Sequence, residues 1–323
     1  MGRNVRIFSL CLILFLFCLM ASGSALLAQR FVTPEEGACH HLEEGEIDEA
    51  IEILQKILEA NPANLNARLY FGVALYLNKN VEGASLQFEK VEKEVDKMLG
   101  ASRPFGDEAM FTQLGMDRKS DILFTKQREG LLYFCRGLTL KEGKDFRNAE
   151  KKFKKALKLE YDEKATRLQL FDLYIKNRDE KKATQEVAEL KKMGEEPESL
   201  AFLEGYLAYR KGNDQEALTA FMKIASSSLA AKGNMALIHY NSGDYQKAIG
   251  IWEGILSEHA DDKESLVNIG RAHFHLGDIE KAQECFTRVG LNVSPEKHSP
   301  KKIPLTYESL LEQVKFDLMC KVK

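Results

Sequence analysis

The 323-residue chain carries 46 basic and 49 acidic side chains, a net charge of −3, with 44% hydrophobic and 29% charged residues. That balance excludes a disordered or collagen-like chain, and it lacks the basic excess that a nucleic-acid-binding surface requires. Only 7 prolines and the single Trp252 stand among abundant Lys, Glu, Leu and Ala, which favours helix. No alternating Val, Ile, Thr and aromatic run between turn signals reads as a strand.

In chain order, Arg3 and Arg6 precede the apolar stretch Ile7 to Met20 and the small residues Ala21 to Ala25. A basic end, an apolar core and a small-residue exit make residues 1–25 a secretory signal peptide, with cleavage expected after Ala25. The alternative is an uncleaved membrane anchor through residues 7–28, because Leu26, Leu27 and Ala28 extend the apolar run. Cys18 follows Phe17, not a small residue, which argues against lipid attachment. Without residues 1–25 the chain keeps 44 basic and 49 acidic side chains, a net charge of −5. The expected location is periplasmic or secreted. Cys39, Cys135, Cys285 and Cys320 are far apart with no CxxC pair, and are expected to be buried small apolar residues.

Beyond the leader, alanines recur in phase at Ala50, Ala84, Ala149, Ala183, Ala217, Ala248 and Ala282. The spacings are 34, 65, 34, 34, 31 and 34 residues, and 65 is the sum of two such periods. Four residues after each alanine stand Leu54, Phe88, Phe153, Val187, Phe221, Trp252 and Phe286. Seven after stand Ile57, Val91, Ala156, Leu190, Ile224, Ile255 and Val289. These positions form one stripe on one helix. Five residues before the alanine, Gly45, Gly212, Gly243 and Gly277 mark a chain reversal. Twelve before it lie Ala38, Gly72, Gly137, Gly205, Ala236 and Gly270, small enough for a second helix to approach closely. Each unit is therefore a helix, a tight turn and a second helix. Such a hairpin cannot bury its apolar face alone, so units must stack.

These units resemble tetratricopeptide repeats. The match is plain in GNMALIHYNSGDYQKAIGIWEGILSEHADD, in VNIGRAHFHLGDIEKAQECFTRV and in EEGEIDEAIEILQKILEANP. The resemblance implies an all-α, right-handed solenoid of about seven units, the first two in residues 31–96 and the other five in 128–294. The fourth unit departs from the pattern, with Phe171 in place of the small residue and Arg178 in place of the turn glycine.

Residues 97–127 add 31 residues of phase and read as a degenerate unit or an insertion. Pro295, Pro300 and Pro304 break helix, so 295–304 is expected to be a linker. Tyr307, Leu310, Leu311, Val314 and Leu318 then recur at helical spacing, and 305–323 is expected to be a capping helix over the last apolar face.

His41, His239 and His273 sit nine residues before an anchor alanine, where other units carry Leu75, Leu140, Tyr174 or Ala208. They read as packing residues. No HExxH, GxSxG or phosphate-cradling loop occurs, so neither a metal nor a cofactor nor a catalytic residue is expected. By resemblance, the first helix of each unit lines a concave groove through positions 18, 15, 11, 8 and 7 before the alanine. The expected lining is Leu69, Val73 and Tyr76; Phe134 and Leu138; Phe202, Tyr206 and Tyr209; Leu237 and Tyr240; and Arg271 and Phe274. The family's Lys and Asn clamp for a C-terminal carboxylate is missing, since its positions hold Leu69, Val73, Phe134, Leu138, Phe202 and Tyr206.

The function these readings imply is a non-catalytic interaction scaffold of the cell envelope, holding another protein or a peptide in an aromatic and apolar groove. One alternative is a structural subunit of an envelope assembly that uses its convex face or capping helix. A second is an enzyme whose site lies in 97–127, with Asp107, Glu108, Asp117 and Asp121.

Overall fold

The computed structural model describes residues 33–100 and 126–305. The expected signal peptide, most of the 97–127 segment with its four acidic residues, the capping helix from residue 306 and Cys320 lie outside the described residues. The chain divides into two compact units, at Gly115–Met116.

The first unit contains α1 (Pro34–Glu44), α2 (Ile47–Ala60), α3 (Leu65–Leu77) and α4 (Val81–Gly100). Residues 97–100 thus continue a helix instead of opening an insertion. Thr33 starts α1 with a reciprocal capping box to Glu36, which satisfies two otherwise orphan backbone donors. Helices pair α1 with α2 and α3 with α4, and α2 packs against α3.

The second unit contains α5 (Lys126–Glu142), α6 (Phe146–Lys158), α7 (Glu163–Lys176), α8 (Glu180–Lys192), α9 (Pro197–Arg210), α10 (Asp214–Met222), α11 (Leu229–Asn241), α12 (Tyr245–Glu258), α13 (Lys263–His275), α14 (Ile279–Arg288) and the short α15 (Pro295–His298). Successive pairs form hairpins, and each hairpin packs on the next. No strand occurs among the described residues. No described helix is long and apolar enough to cross a membrane.

The hairpins close where a small residue meets an aromatic ring. A Cβ on Gly72 would lie 2.5 Å from Phe88 Cε1, and one on Gly137 would lie 2.5 Å from Phe153 Cε1. Only a bare backbone admits these rings. The seven anchor alanines are all fully buried, so the stripe predicted from the 34-residue spacing is the core of each hairpin.

The fourth hairpin, α7 and α8, keeps the geometry with its sizes reversed. Phe171 fills the position of the small residue, while the facing helix carries Val187 where most units carry an aromatic; both are buried. The bulk has moved across the interface, which conserves volume. Arg178 takes the left-handed conformation (φ 58°) that Gly212, Gly243 and Gly277 adopt elsewhere. The turn hydrogen bond from Asp179 N to Tyr174 O, 2.8 Å, matches the one from Asp244 N to His239 O, also 2.8 Å.

Candidate functional site: the first-helix face of the second unit

Six of the twelve expected groove residues are core, not lining. Leu69, Val73, Phe134, Leu138, Phe202 and Leu237 are buried. The cause is visible at the position fifteen before the anchor, where the side chain turns towards its own hairpin partner. Phe134 meets Phe153 edge-on at 5.8 Å, and Phe202 meets Phe221 at 5.5 Å. Tyr76, Tyr206, Tyr209, Arg271 and Phe274 are half-buried and keep one side open. Tyr240 is fully buried, but its hydroxyl makes a specific contact described below.

The histidines fall as packing residues beside turn acids. His41 Nδ1 lies 2.5 Å from Glu46, His239 Nδ1 3.6 Å from Asp244 and His273 Nδ1 3.5 Å from Asp278. His41, Glu44 and Glu46 bring three potential ligand atoms within 4.8 Å. His41 is half-buried at the end of α1, and Glu44 and Glu46 are exposed on either side of the turn. Cys135 and Cys285 are buried, and burial raises both thiols above their ordinary pKa, which keeps them protonated. Cys39 is half-buried.

The segment read as a linker lies on the first-helix face of the last two hairpins. Tyr240 Oη donates to Pro300 O at 2.5 Å, and Arg271 Nε donates to His298 O at 2.8 Å. Asn241 makes a two-point contact with one residue: its Nδ2 donates to Ile303 O at 2.7 Å, and its Oδ1 accepts from Ile303 N at 2.8 Å. His275 Nε2 reaches Pro300 O at 3.3 Å. Residues 295–298 of the expected linker form the short α15, which Pro295 opens from its first turn, and 299–305 follow it as non-helical chain whose backbone is not idle. Its carbonyls and its Ile303 amide find partners on α11 and α13.

The face is built rigidly. Tyr245 stacks on His275 with ring centroids 5.0 Å apart and planes 13° from parallel, which aims Nε2 at the segment. Tyr240 packs edge-on against Tyr245, Trp252 and His275. Tyr209 accepts a hydrogen bond from Asn241 Nδ2 at 2.8 Å, which holds the carboxamide in orientation. Burial raises the pKa of Tyr206, Tyr209 and Tyr240, so all three stay neutral hydrogen-bonding groups near pH 7.

Asn241 and His275 were not among the expected site residues. Both occupy the position seven before the anchor, which the resemblance counts as lining, and that was the signal available. A second feature had no signal. Lys141 on α5 and Asp172 on α7 form a buried ion pair at 2.5 Å, with side chains 0% and 2% exposed, and Gln169 Oε1 accepts from the same ammonium.

Comparison with known proteins agrees with this architecture. Tetratricopeptide repeat models match residues 41–97 and 234–288. A stretch of 105 residues is 30% identical to signal recognition particle subunit SRP72 of Dictyostelium discoideum; it covers 32% of this chain and spans only 16% of that relative's length. A tetratricopeptide repeat protein from Parabacteroides merdae superposes with a TM-score of 0.59 at 14% identity, over 88% of this chain and 97% of that one. A chain of the APC/C hetero-tetramer Cut9–Hcn1 gives 0.55 at 14% identity, over 92% and 52%. With the repeat matched in both units and its packing rule kept between the matches, the chain belongs to the tetratricopeptide repeat proteins, which generally bind other proteins or peptides and are generally non-catalytic.

Proposed function

We propose that this chain is a non-catalytic scaffold of the cell envelope that holds a polypeptide segment on the first-helix face of its second unit. The observation that carries the reading is the set of four side chains, Tyr240, Asn241, Arg271 and His275, whose polar atoms all meet main-chain atoms of one segment, residues 298–303. A face that pairs with backbone is suited to polypeptide, and the half-buried Tyr206, Tyr209 and Phe274 offer apolar bodies beside it. Preformed helices hold these groups in place, so little ordering cost opposes capture. The non-catalytic part of the reading is supported by the repeat family, whose members are generally non-catalytic. The envelope assignment rests on the basic, apolar and small-residue pattern of residues 1–25.

Tyr206→Ala combined with Tyr209→Ala tests the reading. Circular dichroism should show unchanged helix content. Capture of polypeptide partners from the envelope fraction should fall at least ten-fold. Unchanged capture would move the binding surface to the convex side and favour a structural subunit. N-terminal sequencing of the mature protein tests export, with Leu26 expected as the first residue.

A further inference from the structure

We infer that Tyr240, Asn241, Arg271 and His275 form a main-chain-reading subsite for a non-helical stretch of polypeptide, filled in cis by residues 298–305 and open to such a stretch of another chain when that segment leaves. The inference rests on the reading of this face as a polypeptide-binding surface, and it adds the ligand's chemistry, its register and its competitor.

The contacts define the chemistry. Every hydrogen bond named between the face and the segment ends on a backbone atom of the segment: His298 O, Pro300 O, Ile303 O and Ile303 N. Asn241 is suited to this task, because a carboxamide presents one donor and one acceptor side by side. It reads the amide and carbonyl of a single residue as a neighbouring strand would. The side chains of Pro300, Lys301, Lys302 and Pro304 point away and are exposed. The subsite therefore sets register through the backbone and demands little of the sequence, apart from an N–H at the Ile303 position and an apolar residue at the Leu305 position, which is buried. Proline directly after the clamped residue, as Pro304, or three before it, as Pro300, is compatible, since no donor is used there.

The occupant fits imperfectly. His298 Nδ1 and Ser299 Oγ are buried without a hydrogen-bond partner. Each has left water and gained nothing in return, which weakens the hold of the segment. What keeps it in place is its tether, since α14 ends only at Arg288. A short tether gives an effective concentration on the order of millimolar. For a strand whose free dissociation constant is on the order of 0.1 mM, the subsite is then about nine-tenths filled in cis, and its release raises apparent affinity about ten-fold.

The test uses the full chain and a fluorescein-labelled peptide of residues 296–305, read by fluorescence anisotropy. Ile303→Pro in the chain removes the N–H that Asn241 accepts, and Leu305→Asp independently expels the buried anchor. Both variants should bind the peptide about ten-fold tighter than the wild-type chain. Adding Asn241→Ala to either should abolish the gain, and a peptide carrying Ile303→Pro should bind at least ten-fold more weakly. Equal affinity of the wild-type chain and both release variants, or no binding to any of them, would overturn the inference. If capture from the envelope fraction still depended on Tyr206, which makes none of these contacts, the proposed function would stand and only the self-occupied strand site would fall.

Discussion

Phe171 and Val187 carry the most informative exchange in the molecule, because two deviations from the repeat cancel. Truncating Phe171 to Ala should cost roughly 3–5 kcal/mol, as a fully buried ring leaves a cavity. Phe171→Gly with Val187→Phe should restore the arrangement of the neighbouring hairpins. In urea unfolding the double variant should therefore be more stable than the sum of its single variants by about 0.5–3 kcal/mol. Simple additivity would mean that the two side chains do not share the interface. Arg178 offers a test of the opposite sign. It holds φ 58° at a position that Gly45, Gly212, Gly243 and Gly277 fill in four other turns and Lys79 and Lys144 in two, so Arg178→Gly should stabilise by about 0.5 kcal/mol, the left-handed strain relieved less the extra freedom of the unfolded chain. At this scale the sequence was legible wherever spacing speaks. The alanines, the small residues and their aromatic partners fell where the period placed them. Which way a groove residue leans was not legible, because positions fifteen and eight before the anchor look alike in a list of aromatics. Only the facing ring decides that Phe202 is core and that Tyr209 keeps a side open.

Between elements, charged groups join one hairpin to the next. Lys141 on α5 and Asp172 on α7 are paired without solvent. Asp172→Ala strands the ammonium and should cost about 3–5 kcal/mol, while Lys141→Met with Asp172→Leu should recover most of it. Chemical denaturation of the three variants separates these outcomes. Glu150 on α6 accepts from Tyr174 on α7 at 3.1 Å and from Lys182 on α8 at 3.1 Å, as well as from Lys154. Burial alone would raise its carboxyl, but the hydrogen bonds from Lys154, Lys182 and Tyr174 outweigh that and hold it below the ordinary value of 4.5. A depressed carboxylate stabilises the fold above its unfolded pKa and loses that contribution as pH falls through the folded value. Glu150→Gln should accordingly be less stable than the parent at pH 7, and the difference should shrink as pH drops below 4.5. A gap that stays constant down to pH 3 would remove Glu150 from the linkage. Neither cluster shows in the sequence, where Lys141, Glu150 and Asp172 look like any solvated charges on amphipathic helices.

Over the molecule as a whole, the repeat made the fold readable from 323 letters, because each hairpin obeys the same local rule and needs only its neighbours. The site was less readable, since it arises where the chain returns on itself. Pro300 and Pro304 announced the end of the helices, but nothing in the 295–304 stretch announced that its backbone would lie across α11 and α13. Asn241 and Ile303 are 62 residues apart. That pairing depends on geometry no period encodes.

The central claim, that this face reads polypeptide main chain, is tested most directly by residue-resolved amide hydrogen exchange in the full chain. Ile303 should exchange slowly because its N–H is held by Asn241, whereas Lys301 and Lys302 should exchange fast. Asn241→Ala should bring Ile303 to the rate of the two lysines and leave the amides of α9 and α10 unchanged. An Ile303 amide as fast as Lys301 and Lys302 in the parent chain would contradict the claim.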